Sequence, residues 1–290
     1  MEFITTIING LSLGGIYAMI ALGYTMVYGI AKMLNFAHGD IIMVGGYTIV
    51  VFLNLTGNPV IATAAAVLLC VLLGAVIEKV AYKPLRGASP LAVLITAIGV
   101  SYLLQSLAQI IFGSSPKMAN IGSLGVLEIG SVRIQGYTVF TLACTVAVMV
   151  ALSLFIKMTR VGKAMLAVSE DRGAAELMGV NVNRIITLTF IIGSGLAALA
   201  GLCTLMKAPS ISSTFGAMPG IKAFTAAVIG GIGSIPGAML GGIMLGLVES
   251  LCNRVSVIAP YTDAIEFGML IVILLIRPTG FLGKKRREKV

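Results

Sequence analysis

Apolar residues run along this chain in long, nearly unbroken stretches, parted by short polar clusters in which Lys and Arg concentrate. A helix rises 1.5 Å per residue, so about 20 apolar residues cross a hydrocarbon layer roughly 30 Å thick. Strands of a membrane barrel would instead alternate over about ten residues, and these runs do not alternate. The pattern predicts spans at 7–30, 41–56, 60–80, 91–112, 137–157 and 186–206, a broken segment at 221–250 and a last span at 260–276. The fold class is all-α: a polytopic transmembrane bundle of about eight membrane segments forming one domain over 1–290, with no soluble domain attached.

The basic residues orient it. Lys32, then Lys79, Lys83 and Arg86, then Lys157, Arg160, Lys163, Arg172 and Arg184, then Arg277, Lys284, Lys285, Arg286, Arg287 and Lys289 fall in connections on one side. Lys117, Arg133, Lys207, Lys222 and Arg254 remain for the other. Positive charge gathers on the cytoplasmic side, which places the N-terminus outside and the C-terminus inside. The first run lacks a basic leader and is expected to stay in the mature chain.

After six crossings the chain is outside, so 221–250 must cross an even number of times to leave the basic tail inside. Its halves, 221–232 and 237–250, flank Gly233-Ser234-Ile235-Pro236. A half of about twelve residues rises only about 18 Å, so a re-entrant hairpin of two short helices is expected, entering from outside. Irregular backbone at that depth needs protein or water to satisfy it and tends to line a pathway. Small residues at every fourth position, Gly233, Gly237 and Gly241 among them, suit close helix contacts.

Composition narrows the function classes. Of 290 residues 58% are apolar and 11% charged, against roughly 45–50% and about 25% in soluble domains. The net charge of +9 is explained by the loops rather than by nucleic-acid binding. Cys70, Cys144, Cys203 and Cys252 are scattered, and His38 is the single histidine, so no metal site is expected. No Gly-x-x-x-x-Gly-Lys-[Ser/Thr] phosphate loop occurs.

The most informative polar segment is the cytoplasmic loop 158–185. Ser169 is a good N-cap, Glu170 and Asp171 complement the helix dipole, and Gly179 is placed as C′, so a short helix over 170–178 is expected. With Gly173 and Ala174 on one side and charges on the other, it would offer a compact knob to a groove in another protein.

Further candidates lie in the spans. Asn35, His38 and Asp40 cluster at the turn after the first span, as a polar lining of an inner gate or as turn and cap residues. Lys222 and Glu249 lie in apolar surroundings near the outer surface. Lys222 would attract a substrate carboxylate, pair with Glu249 to hold the hairpin, or snorkel. Tyr17, Tyr24 and Tyr28 share one helix face, lining a pathway or packing.

Three separated motifs resemble one family. Gly162…Ala167…Glu170-Asp171…Ala174…Gly179-Val180-Asn181 is similar to the coupling loop of ATP-binding-cassette importer permeases of the branched-chain amino acid and ribose type. The opening Leu13-Gly14-Gly15-Ile16-Tyr17-Ala18, with Leu34-Asn35-Phe36-Ala37-His38-Gly39-Asp40, and the run from Lys222 to Met239 with Arg277-Pro278-Thr279-Gly280, resemble the LivH-type permease more narrowly. The resemblance implies a transport subunit of a bacterial cytoplasmic membrane that is not itself an enzyme and carries no cofactor. It implies as partners a second, LivM-like permease, two ATPase subunits that bind the ATP, and an extracytoplasmic binding protein delivering leucine, isoleucine or valine. It implies coupling through Glu170, Asp171, Gly173, Ala174 and Gly179. A related importer for urea, amides or other amino acids would read similarly. An autonomous channel or secondary transporter would need a buried acid–base relay that no span shows, and an intramembrane enzyme would need a base partner for its serines.

Overall fold

The first helix, α1 (Glu2–Ala31), runs through the centre of the bundle and is buried on most of its faces beyond Ser12. This computed structural model describes residues 2–119, 121–122, 124–129 and 132–283; the tail lysines and arginines from Lys284 onward lie outside the described residues. Around α1 stand α5 (Gly136–Met158), α8 (Val182–Lys207), α9 (Ala217–Gly230) and α10 (Ile235–Arg254), while α2 (His38–Thr56) packs on α8 and meets α1 at His38. The seam between α1 and α10 is built from glycines. A methyl group added at Gly14 would fall 2.7 Å from the Ile243 Cα, and one added at Gly246 would overlap the Gly14 amide. The two backbones therefore touch, which gains van der Waals contact where lipid tails supply no hydrophobic drive between helices.

Four helices present apolar faces to the outside: α3 (Pro59–Ile77), α4 (Pro90–Phe112), α5 (Gly136–Met158) and α11 (Thr262–Ile276). Their outward residues, such as Val60 (74% exposed), Leu72, Ile95, Ile110 (80%) and Val146, are large and apolar. Such a surface is untenable in water and natural against lipid tails. Eight described helices are long and apolar enough to cross a membrane, so the chain is a multi-pass helical bundle, with α9 as a ninth, shorter segment.

Two expectations about membrane depth need correction. The hairpin at 221–250 does not consist of two short helices. α9 has 14 residues, but α10 has 20 and is long enough to span. The turn between them meets the stretch beyond the last helix, α11 (Thr262–Ile276): the Phe281 and Leu282 amides donate to Ile229 and Gly230 carbonyls at 2.9 Å. The segment is thus a broken hairpin with one short arm, α9, and one arm, α10, long enough to cross. The missing signal was the length of α10, which continues past Glu249 to Arg254 despite six glycine, serine and asparagine positions.

The second correction is at α2. The chain reverses at Lys32, the one non-glycine residue with a left-handed φ (55°) among those described, and residues 32–37 climb non-helically back into the bundle. α2 starts at His38, whose ring lies against Gly23 of α1. That is eight residues, about 12 Å, above the inner end of α1, so Asn35, His38 and Asp40 are not at the inner surface.

On the outer side, the connection between α4 and α5 and the stretch after α8 hold two small antiparallel sheets. β1 (Lys117–Met118) pairs with β4 (Ser210–Ile211), and β2 (Val126–Ile129) pairs with β3 (Val132–Gln135).

Candidate functional site

The loop 158–185, expected on the cytoplasmic side, forms two helices, α6 (Arg160–Glu170) and α7 (Arg172–Leu177). Thr159 caps α6 by accepting from the Gly162 amide at 2.9 Å, and Gly162 is small because its α-carbon is pressed against the backbone of Phe155 and Ile156. Met165 and Val168 turn inward and seat α6 on the bundle. Ser169 is not the cap of the following helix: its hydroxyl donates to Leu166 within α6. Asp171 takes that role, at φ −150°, with its carboxylate accepting the Ala174 amide at 3.0 Å. The expected single helix over 170–178 is broken there, because an aspartate whose side chain caps its own backbone favours an extended conformation.

Gly179 closes α7 as expected. At φ 82° it lets its own amide reach the Glu176 carbonyl and the Val180 amide reach that of Ala175, both at 2.9 Å, the paired bonds of a Schellman ending. Glu170, Asp171, Gly173, Ala174 and Gly179 are all exposed. So are two residues that were not singled out in the sequence: Leu177 (91%) and Met178 (84%), at the tip of the knob. Nearly full exposure of two large apolar side chains on a well-capped helix marks a surface that another protein covers. Their signal in the sequence was an apolar pair just before a C′ glycine.

The knob is wired into the bundle in two ways. Arg172, the first residue of α7, donates to the Ile30 carbonyl at 2.9 Å, in the last turn of α1 where the helix dipole is negative. At the other end Asn181 caps α8 by accepting the Arg184 amide at 3.0 Å. One turn on, Thr187 donates to buried Glu78, which also holds Arg86, and Arg86 reaches Asn183. The connection between α3 and α4 is thereby tied to the base of α8.

Inside the bundle the remaining candidates fall into two groups. In the first, the Tyr82 hydroxyl donates to Asn35 Oδ1 at 2.8 Å and Gln105 donates to Asp40 Oδ1 at 2.9 Å. Tyr24 sits edge-on to His38 with ring centres 4.8 Å apart. Asn35, His38, Asp40 and Tyr24 are 1–6% exposed, and they join α1, α2, α4 and the connection after α3.

In the second group Lys222 of α9 meets Glu249 of α10 at 3.0 Å and Asp263 and Glu266 of α11 at 2.8 and 3.1 Å, while Tyr17 donates to Glu249 at 2.6 Å. Tyr28 stays apart, at the cytoplasmic end. Lys222 is wrapped by three carboxylates, so its ammonium is spent on holding the hairpin to α11. Lys222→Met is expected to destabilise the protein by about 3–5 kcal/mol, because Glu266, fully buried, is left uncompensated. Adding Glu266→Gln should recover part of the loss, read as the thermal midpoint in detergent. An unchanged midpoint combined with weakened substrate response would return Lys222 to the substrate.

Comparison with known proteins gives the family and the fold. Residues 6–274 match the family described as branched-chain amino acid transport system, permease component. The high-affinity branched-chain amino acid transport system permease protein BraD of Pseudomonas aeruginosa is 43% identical, with 100% of this chain and 98% of the relative covered. LivH of Escherichia coli, described in the same words, is 42% identical over the same shares. Among solved structures, an inward-facing metal-chelate type ABC transporter shares the fold, with a TM-score of 0.52 at 17% identity, covering 94% of this chain and 85% of that one.

Proposed function

Since this chain belongs to the branched-chain amino acid transport system permease family, we propose that it is the membrane-spanning subunit of an ATP-driven importer that brings leucine, isoleucine and valine across the bacterial cytoplasmic membrane. The observation that carries the coupling half of this reading is the α7 knob, with Leu177 and Met178 bare at its tip. The knob supplies an exposed apolar pair, one of them a methionine, a residue enriched in interface cores, and an ATPase subunit is the partner it fits. ATP is bound by those partners; this chain transmits their motion.

Closure of the ATPase pair would push α7 as a rigid element. Its motion reaches α8 through Asn181, the α3–α4 connection through Glu78 and Arg86, and α1 through Arg172. Because α1 and α10 touch along their backbones, they must move as one. A second permease subunit, LivM-like, would complete the passage, and a binding protein outside would choose the amino acid.

The test is reconstitution of this chain with its companion permease, ATPases and binding protein in proteoliposomes. Uptake of labelled leucine, isoleucine and valine should require ATP and the binding protein. Uptake by the chain alone would make it an autonomous carrier, and uptake of urea in place of leucine would reassign the substrate.

A further inference from the structure

Residues 32–37 climb beside α1 as non-helical backbone and reach the depth of Gly23, about 12 Å above the inner end of that helix. They are not sealed inside the bundle: Leu34 and Phe36 are half-buried and keep one side open. α9 is locked to the start of α2 next to them, since a methyl group at Gly39 would lie 2.5 Å from the Gly216 carbonyl oxygen. With 14 residues α9 rises about 21 Å, too little to cross a hydrocarbon layer of about 30 Å. Its open face is apolar: Met218 (42% exposed), Ile221 (45%), Phe224 and Val228 recur at every third or fourth position.

The two elements share a cluster of rings. Phe224 lies 5.8 Å from Tyr24 and 5.5 Å from Phe36, centre to centre. Between α1, Leu34 and α9 runs a crevice lined by Tyr24, Phe224 and Ile232 among others, with no charged residue and no room for a water molecule.

Lipid is a poor neighbour for this face. Non-helical backbone at membrane depth carries amides and carbonyls that hydrocarbon cannot satisfy, so it persists only against protein or a water-filled cavity. Segments that end or lose their helix at mid-depth, side by side, are how helical transporters build a substrate path.

We propose that this face lines the substrate passage, with Met218 and Ile221 along its wall and Tyr24, Phe36 and Phe224 as the constriction, closed in this structure. An apolar, uncharged constriction suits the aliphatic side chain of leucine, isoleucine or valine. That substrate, and the opening of the constriction by ATP, rest on the importer reading; the contact of the face with water does not.

The complete importer is reconstituted in proteoliposomes with Ile221→Cys, Phe36→Cys or Phe224→Cys, one at a time, and exposed to a charged methanethiosulfonate reagent. Ile95→Cys, on the lipid-facing side of α4 (61% exposed), is the control, and the unaltered chain gives the background of its four native cysteines. The thiolate is the reactive form and hydrocarbon suppresses it, so position 221 should react at least about tenfold faster than position 95. Positions 36 and 224 should react slowly at rest and faster once ATP and the leucine-loaded binding protein are added. Reaction at 221 no faster than at 95 would overturn the lining, and rates at 36 and 224 indifferent to ATP in vesicles that do take up leucine would overturn the constriction. Absence of leucine uptake by the unaltered complex would instead remove the importer reading, while the comparison of 221 with 95 still decides whether the face meets water.

Discussion

Gly173→Trp is expected to leave the bundle folded and inserted while removing ATP-driven uptake. Within this chain the position has room: a methyl group there would meet only Asp171 Oδ1, at 3.5 Å. The residue is exposed on the second turn position of α7, four residues from Leu177 and so on a neighbouring face of the same short helix. An indole projecting there would hold the knob out of any groove shaped for Leu177 and Met178. Loss of such an anchor costs at least about 2 kcal/mol, or roughly 30-fold in affinity. The measurements are ATPase copurification and ATP-dependent uptake, with the thermal midpoint of the permease as the control. Normal copurification and uptake in this variant would remove α7 from the interface and leave the coupling segment elsewhere.

How much of this was legible beforehand follows from the physics of each signal. Spans were readable because the bilayer demands a run of about 20 apolar residues regardless of neighbours. The orientation was readable from Lys and Arg in the loops, and the even crossing of 221–250 followed from it. Depth was not readable. Nothing in Lys32-Met33-Leu34-Asn35-Phe36-Ala37 announces that the chain climbs back beside Gly23, because the climb depends on partners far away in sequence, Tyr82 for Asn35 and Gln105 for Asp40. Lys222 is a similar case. Glu249 was the visible partner, 27 residues on, whereas Asp263 and Glu266 became visible only once α11 was packed against α9. The cap at Asp171 rather than Ser169 was lost between two adjacent good capping residues. The choice was made by α6, which uses Ser169 as its own last turn.

The tight seam between α1 and α10 yields a second large expected effect on folding. Gly246→Leu would drive a branched side chain into the Gly14 backbone, with the Gly10 carbonyl next in its way. Neither is a flexible side chain that swings aside, so whole helices would have to part. Parting them would open the contacts at Gly14 with Ile243 and Gly242 with Ala18 as well. Overpacking ordinarily costs about 1–3 kcal/mol. Here the strain falls on two backbones at once, so the upper end or beyond is expected. Gly99→Leu is the matched control: nothing lies within 4 Å of a methyl group there, and the residue faces outward on α4. It should change stability by no more than about 0.5 kcal/mol. The readouts are the amount of folded permease recovered from membranes and its thermal midpoint, side by side for the two variants. Gly246→Leu should fail in both while Gly99→Leu matches the parent. If the two behave alike, α1 and α10 are not joined backbone to backbone, and the movement of α1 through Arg172 would have no rigid partner to carry.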